Sequence, residues 1–387
     1  MSLLLACKLQ IYKFASRQRI SQVEPILDCG YGGEKMNRRY NHKEMTEFIN
    51  NLLTTSGIVE REARIVTDVL LRAELQGVSS HGLTRIGVYL DRIGKGLINI
   101  KPQMKLDFKF PALGILDADN ALGHVAAYDA MSAAIEKAKA FGIGMVGVKN
   151  SNHFGAASYF AEMAANDNLV GFVISNGPPA TPPWGGKEMY FGTNPLAVCI
   201  PGGESGPIIV DMATSIVARG KIIKAAKEDR PIESGWALDE DGNPTTDANK
   251  ALKGCLLPMG GHKGSAITML IELMAGLLTG AGYGRQVAWQ YDESAGKGNV
   301  GHIFCAINPE NFMDLEEVKA RMDNFHNEIK SMPRAAGFEE IRLPGESKRR
   351  NYSSNIQNGL EINESLYNTL RDLADSLMVE MPGELEL

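Results

Sequence analysis

The sequence is short of cysteine, of long apolar runs and of surplus positive charge, and each shortage removes a class of protein. Five cysteines, Cys7, Cys29, Cys199, Cys255 and Cys305, are spread over 387 residues with no CxxC pair. Their spacing suits neither a zinc site nor a disulfide framework, so no metal is expected, and reduced thiols in an intracellular compartment are. No apolar run reaches the ~20 residues that span a bilayer, which argues against a membrane partner. The formal charge is −6 and no basic stripe interrupts it, which argues against nucleic acid. Internal repeats and low-complexity segments are missing too. A chain of this length can bury a core without metal or disulfide staples, as one large domain or two compact ones.

Acidic residues are absent from positions 1–22, which carry Lys8, Lys13, Arg17 and Arg19 among Leu3, Leu4, Leu5, Leu9, Ile11 and Phe14. Such a stretch reads as an amphipathic organelle-targeting peptide or as an untidy extension. The expected location is cytoplasmic, or mitochondrial if residues 1–37 act as a targeting peptide.

What is present is a change of texture along the chain. Apolar periodicity predicts helices over 42–55 and 60–75. A third follows Gly77-Val78-Ser79-Ser80-His81-Gly82, with Leu83, Ile86, Leu90 and Ile93 on one face. From about residue 105, strands (143–148, 169–174, 196–200, 207–210) alternate with helices (125–140, 155–166, 215–228, 265–279), an α/β middle. A helix over 314–330, the loop Leu343-Pro344-Gly345-Glu346 and a last helix over 363–379 complete the chain.

Four stretches can carry chemistry. In Ser79-Ser80-His81-Gly82-Leu83-Thr84-Arg85, Ser80 reads as an N-cap, and His81 and Arg85 share a helical face. A guanidinium can grip a carboxylate in a two-pronged pair while an imidazole exchanges a proton with the adjacent hydroxyl, a pairing that suits a 2-hydroxy acid. A capped surface helix would look the same. Asn150-Ser151-Asn152-His153-Phe154-Gly155 joins a buried strand to a helix, where the dipole would favour a neutral His153; it also reads as a simple capped turn. In Asp211-Met212-Ala213-Thr214-Ser215, a strand ending at Asp211 and a helix opening near Thr214 would offer amides to a phosphate and a carboxylate to ribose hydroxyls, or merely a turn. Met259-Gly260-Gly261-His262-Lys263-Gly264 puts a cation at a helix opening, although it is not a Walker A loop. Gly280-Ala281-Gly282-Tyr283-Gly284 follows a helix and reads as a C-cap loop, and Asp239-Glu240-Asp241-Gly242-Asn243 as a turn rather than a calcium loop. Of His42, His124, His302 and His326, His124 stands out.

Taken in this order, these stretches, with Gly192-Thr193-Asn194-Pro195, Gly235-Trp236-Ala237, Thr245-Thr246-Asp247 and Pro344-Gly345-Glu346, resemble the malate/L-lactate dehydrogenase family of the non-Rossmann type. Ureidoglycolate, sulfolactate, diketogulonate and piperideine carboxylate oxidoreductases belong to it as well. The resemblance covers about residues 40–380. It implies an α/β fold: a cofactor-binding α/β domain without GxGxxG (111–324), a helical substrate and dimerisation domain built from both chain ends (38–110 with 325–387), and an extension (1–37). It implies a homodimer and NAD or NADP as cofactor. His81 matches the proton-transfer histidine of some members and His153 that of others. Arg85 matches the carboxylate-binding arginine, with Ser80 and Thr193 beside the substrate. Cofactor contacts are implied at Asn176, Asp211, Met212, Ala213, His262, Lys263, Gly345, Glu346 and Ser347. Relatives often carry an aromatic residue at the place of His262, which leaves NAD versus NADP open. The expected activity interconverts a small L-2-hydroxy acid, such as malate, lactate or sulfolactate, and its 2-oxo acid. The alternatives are reduction of a cyclic imine carboxylate or a sugar-derived diketo acid, or a non-catalytic cofactor-binding relative.

Overall fold

A computed structural model describes residues 38–292 and 296–385; the extension, with Cys7 and Cys29, lies outside them. Strand β1 (Arg38–Tyr40) leads into α1 (His42–Thr55) and α2 (Glu60–Leu75). The side chain of Asn41 accepts the Lys43 amide and starts α1, whose Met45, Phe48, Ile49, Leu52 and Leu53 are buried at helical spacing. Helix α3 (Ile86–Gly94) follows, and at the far end of the chain β12 (Leu360–Ile362) and α11 (Glu364–Leu377) return to the same place. β1 pairs with β12, Tyr40 opposite Leu360, and Leu366, Leu370 and Leu373 join the core of α1 and α2. The two chain ends therefore build one helical unit.

Between them lies a seven-stranded mixed sheet. Its strands are β2 (Lys105–Phe110), β3 (Leu113–Asp117), β4 (Ile143–Ser151), β5 (Val170–Ser175), β6 (Leu196–Ile200), β7 (Ile208–Met212) and, after a small subdomain, β11 (Val300–Ile307). The order is β2-β3-β4-β11-β5-β6-β7, and only β3 and β4 run parallel. Helices α4 (Gly123–Phe141) and α5 (Ala157–Asn166) cover one face, where Val173 and Phe304 are buried. The other face buries Ile174 and Ile303 under α8 (His262–Ile271). Neighbouring residues of β5 and β11 thus point to opposite cores, the alternation of strands covered on both sides. The subdomain holds α6 (Arg219–Lys227), β8 (Ala237–Leu238), β9 (Pro244–Thr245), α7 (Ala248–Lys253) and β10 (Cys255–Leu256). Helices α9 (Leu315–Ser331) and α10 (Glu346–Asn358) lead back to the helical unit. Among the described residues no helix is long and apolar enough to cross a membrane.

Four sequence expectations need correction. The chain after α2 does not enter one continuous helix: 3-10 turns at Ser79–His81 and Leu83–Arg85 precede α3. Gly82, with φ −97° and ψ −142°, breaks them apart, and the Leu83 amide is drawn to the buried Glu74 carboxylate at 2.9 Å. Ser80 is accordingly no N-cap; its hydroxyl bonds to His81 Nδ1 at 2.9 Å. No helix opens near Thr214. β7 runs through Asp211 to Met212, and α6 begins only at Arg219. The Thr214 and Ile216 amides are engaged by the carbonyls of Thr193 (2.8 Å) and Leu257 (2.9 Å), so they offer nothing to a phosphate. The helix expected over 265–279 starts at His262 and turns π-helical over Glu272–Leu277. Finally, α10 was invisible in the sequence, because ESKRRNYSSNIQN carries no apolar stripe.

Candidate active site

Two turns bring the histidines together. His81 closes the first 3-10 turn after α2. His153 lies in the turn between β4 and α5, pressed against the start of α4; there a Cβ on Gly123 would come within 2.1 Å of the Asn152 carbonyl, so only glycine fits. The two imidazoles stack with centroids 5.6 Å apart and planes 26° from parallel. Arg85, on the second 3-10 turn, donates from Nε to the Ser80 carbonyl at 2.6 Å. Its guanidinium carbon is 5.7 Å from the centroid of the Tyr291 ring. Ser80 thus ties both groups, His81 through its hydroxyl and Arg85 through its carbonyl. His81 and Arg85 do come together, but on consecutive tight turns rather than on one α-helical face.

Sequence reasoning missed Tyr89. On α3, its hydroxyl meets His153 Nδ1 at 2.7 Å. The Gly155 amide donates to the same nitrogen at 3.3 Å. A backbone N–H only donates, so Nδ1 presents a lone pair, Tyr89 also donates, and Nε2 carries the proton of the neutral ring. Burial pushes the Tyr89 phenol well above its ordinary value and keeps it protonated. His124, singled out in the sequence, lies edge-on to Tyr89 at 4.8 Å and is fully buried. His302 is buried too, between the Ser175 (2.8 Å) and Ser151 (2.9 Å) hydroxyls, a packing role. Tyr89→Phe should leave Nδ1 with the long Gly155 contact alone. Losing one hydrogen bond, worth about 1 kcal/mol, is expected to shift the His153 tautomer ratio roughly fivefold. Nitrogen-15 spectra of the labelled ring check this; an unchanged ratio would remove Tyr89 from the role.

Both histidines are neutral at pH 7. Burial first, then the Arg85 guanidinium, takes His81 down to about 4; Lys348 adds to the lowering, and the Asp211 carboxylate opposes it. His153 lies well below the ordinary histidine value, through burial and then the neighbouring His81 and Arg85. The helix dipole invoked from the sequence is not the cause, since α5 begins four residues after His153.

The remaining sequence candidates fall in two strips. Thr193 accepts the Thr214 amide, and the Met259 amide reaches the Thr214 carbonyl at 2.9 Å, so Thr193, Ala213 and the turn before His262-Lys263 adjoin. His262 and Lys263 are exposed in the first turn of α8, with Trp184 6.0 Å from the His262 ring. Met212 is exposed at the end of β7. In the second strip, Asp211 pairs with Lys348, which also donates to Ser158 at 2.8 Å. Gly345 (φ +94°) turns the chain into α10. Ser347 is exposed, whereas Glu346 is buried and tied to Lys330 (2.6 Å) and His326 (3.1 Å). The Asn176 amide is occupied internally: it donates to the Gly282 carbonyl (2.8 Å) and accepts the Gly301 amide (2.9 Å). Lys348 and Ser158 carried no signal in the sequence.

Comparison with known proteins gives the family context. A family model described as malate/L-lactate dehydrogenase matches residues 40–371. Malate/(S)-sulfolactate dehydrogenase of Methanothermus fervidus is 39% identical over 339 residues, 88% of this chain and 98% of that protein. L-sulfolactate dehydrogenase of Methanocaldococcus jannaschii is 41% identical over 340 residues, 88% of this chain and 97% of that protein. A solved sulfolactate dehydrogenase structure from the same organism superposes with a TM-score of 0.83 at 40% identity, covering 89% of this chain and 98% of that one. More distant relatives include ureidoglycolate dehydrogenase (NAD(+)) of Escherichia coli, 34% identical with 88% and 96% covered. (2R)-3-sulfolactate dehydrogenase (NADP(+)) of Chromohalobacter salexigens is 32% identical, with 88% and 99% covered.

Proposed function

Since the chain belongs to the malate/L-lactate dehydrogenase family and is an oxidoreductase of 2-hydroxy acids, we propose that Arg85, His81 and His153 carry that reaction between them. The observation behind this assignment is two half-buried imidazoles stacked 5.6 Å apart beside a tethered guanidinium. Arg85 grips the substrate carboxylate. We assign His81 the tautomer whose Nδ1–H donates to the Ser80 hydroxyl at 2.9 Å, because it leaves Nε2 with its lone pair to accept the C2 hydroxyl proton. His153 cannot accept there, because its Nδ1 holds the lone pair. It donates Nε2–H to the C2 oxygen instead and polarises it. In the reverse direction the His81 imidazolium returns the proton to the 2-oxo acid. Ser80 and Thr193 border the substrate.

The bound nicotinamide cofactor supplies the hydride acceptor or donor. The residues present fit it: a cation at a helix opening (Lys263), a carboxylate (Asp211), and exposed Met212 and Trp184 as surfaces for flat rings. Ala213, His262, Gly345 and Ser347 complete the proposed contacts, while Asn176 and Glu346, buried and bonded internally, would shape the backbone around the cofactor rather than touch it through their side chains. Relatives are named for NAD(+) in one case and NADP(+) in another, so each is assayed. Nicotinamide absorbance is followed against malate, lactate, sulfolactate, their 2-oxo acids, a diketo acid and a cyclic imine carboxylate. Turnover of a 2-hydroxy or 2-oxo acid is expected. Turnover of the imine alone would move the chain to the reductases of this fold, and silence on every compound would overturn the reading.

The working particle is a homodimer. Ile267 and Leu270 on α8, Leu273 and Leu277 on its π-helical continuation and Leu278 just past it are all exposed, an apolar face unusual for a surface helix. This face lies on the α/β domain, not on the helical unit to which the resemblance assigned the dimer contacts. Light scattering at micromolar concentration should give two chains per particle, and Leu270→Asp should give one. A wild-type monomer would overturn the proposal.

A further inference from the structure

The first two turns of α10 carry three consecutive cations, Lys348, Arg349 and Arg350, where the positive end of the helix dipole disfavours them. Two have evident structural work. Arg349 donates to the carbonyls of Pro207 and, at 3.2 Å, Ser205, and Arg350 pairs with Glu340 at 2.6 Å. Lys348 turns inward. Its ammonium meets the Asp211 carboxylate and, at 2.8 Å, the Ser158 hydroxyl. The pair is largely shielded, with side chains 18% and 14% exposed. Ser158 sits in the first turn of α5, directly after the turn that carries His153, and Asp211 is the last residue but one of the sheet strand β7. Asn351, one turn further along α10, donates to the Gln76 carbonyl at 3.2 Å, five residues before His81, so the ion pair lies where α10 meets α5, which follows the His153 turn, and α2, which precedes the His81 turn.

We propose that Lys348 is a positioning residue of the active site, one that holds and charge-balances Asp211 so that His81 stays in its neutral, proton-accepting form. This rests on the function proposed above only in taking His81 as the acceptor. The groups acting on His81 are few. Arg85 and Lys348 oppose its protonation and Asp211 favours it. The stacked His153 is neutral, and Glu74 is buried and bound to the Leu83 amide. Without Lys348, the Asp211 carboxylate stands uncompensated and becomes a counter-ion for the His81 imidazolium. The pKa of His81 then rises, and the imidazole is protonated over a wider range of pH. For one unit charge acting through protein, the rise is about one pH unit.

The test is a carbon-13 histidine titration of the cofactor-free protein, with the His81 signal assigned by its loss in His81→Asn. Lys348→Met should raise the His81 midpoint by about one pH unit. Lys348→Arg should restore it, and adding Asp211→Asn to Lys348→Met should bring it back towards wild type. A structural defect would not show this reversal. If Lys348→Met does not fold, Lys348→Gln keeps a donor to Asp211 and Ser158 while removing the charge, and reads the same shift. A midpoint unmoved in the charge-removing variant overturns the inference. So does a loss of cofactor affinity with no change in midpoint, which would make Lys348 a cofactor contact instead. Because the titration needs no substrate, a His81 that responds here but is dispensable in turnover would overturn the catalytic assignment and leave Lys348 standing.

Discussion

His81→Asn is expected to lower kcat by about 10²–10⁴-fold, the usual contribution of a positioned general base, and to erase the acidic limb of the oxidation rate. In the wild type that limb reports the free base. Burial and Arg85 hold His81 down to about 4, so the rate should climb as pH rises through that region and level off well below neutrality. The sign follows from the mechanism: the proton acceptor works unprotonated, and a lowered pKa extends its range towards acid. Arg85 adds a second feature. Its charge opposes protonation of His81, and a bound carboxylate neutralises that charge, so His81 becomes a better base only with substrate in place. His153→Asn should behave differently. An asparagine amide can still donate to the C2 oxygen, so the loss should be about tenfold, near the value of one hydrogen bond, with the acidic limb intact. If the limb disappears with His153 and survives in His81→Asn, the two roles are exchanged. If neither variant loses more than a few-fold, the mechanism is wrong.

Arg85→Lys should prove far from conservative, with kcat about 100-fold lower, KM for the 2-oxo acid raised, and cofactor affinity nearly unchanged. The guanidinium is anchored before substrate arrives, because Nε bonds to the Ser80 carbonyl at 2.6 Å. That anchor fixes the plane of a planar fork, and the fork fixes both carboxylate oxygens. Lysine keeps the charge but has one nitrogen, which cannot hold Ser80 and a carboxylate in two-pronged fashion together. The substrate would still be attracted, but C2 would no longer be held in line for hydride transfer. Steady-state kinetics separate this from a solvated surface arginine, which predicts wild-type kcat and KM.

The sequence by itself determined the pieces. Helices α1 and α2 end within a residue of their expected bounds, because each buries a stripe at helical spacing and, for α1, Asn41 marks its start. Strand β6 is found where it was read, and β4, β5 and β7 lie over the stretches read as strands, since runs of β-branched and small residues between turns allow little else. The order of motifs was enough for the family. Meetings between distant residues were decided only by tertiary structure. Tyr89 reaches His153 across 64 positions and Lys348 reaches Asp211 across 137, and no local pattern encodes either contact, because packing of whole elements sets them. Helix α10 was missed for a related reason: its residues are polar all round, so it has no stripe to read. The 3-10 turns at Ser79–Arg85 and the straightened segment after Asp211 escaped as well. There, buried hydrogen bonds to Glu74, Thr193 and Leu257 override the helix-start signals that Ser80 and Thr214 carry locally, since a buried amide without a partner would cost more than a forgone cap.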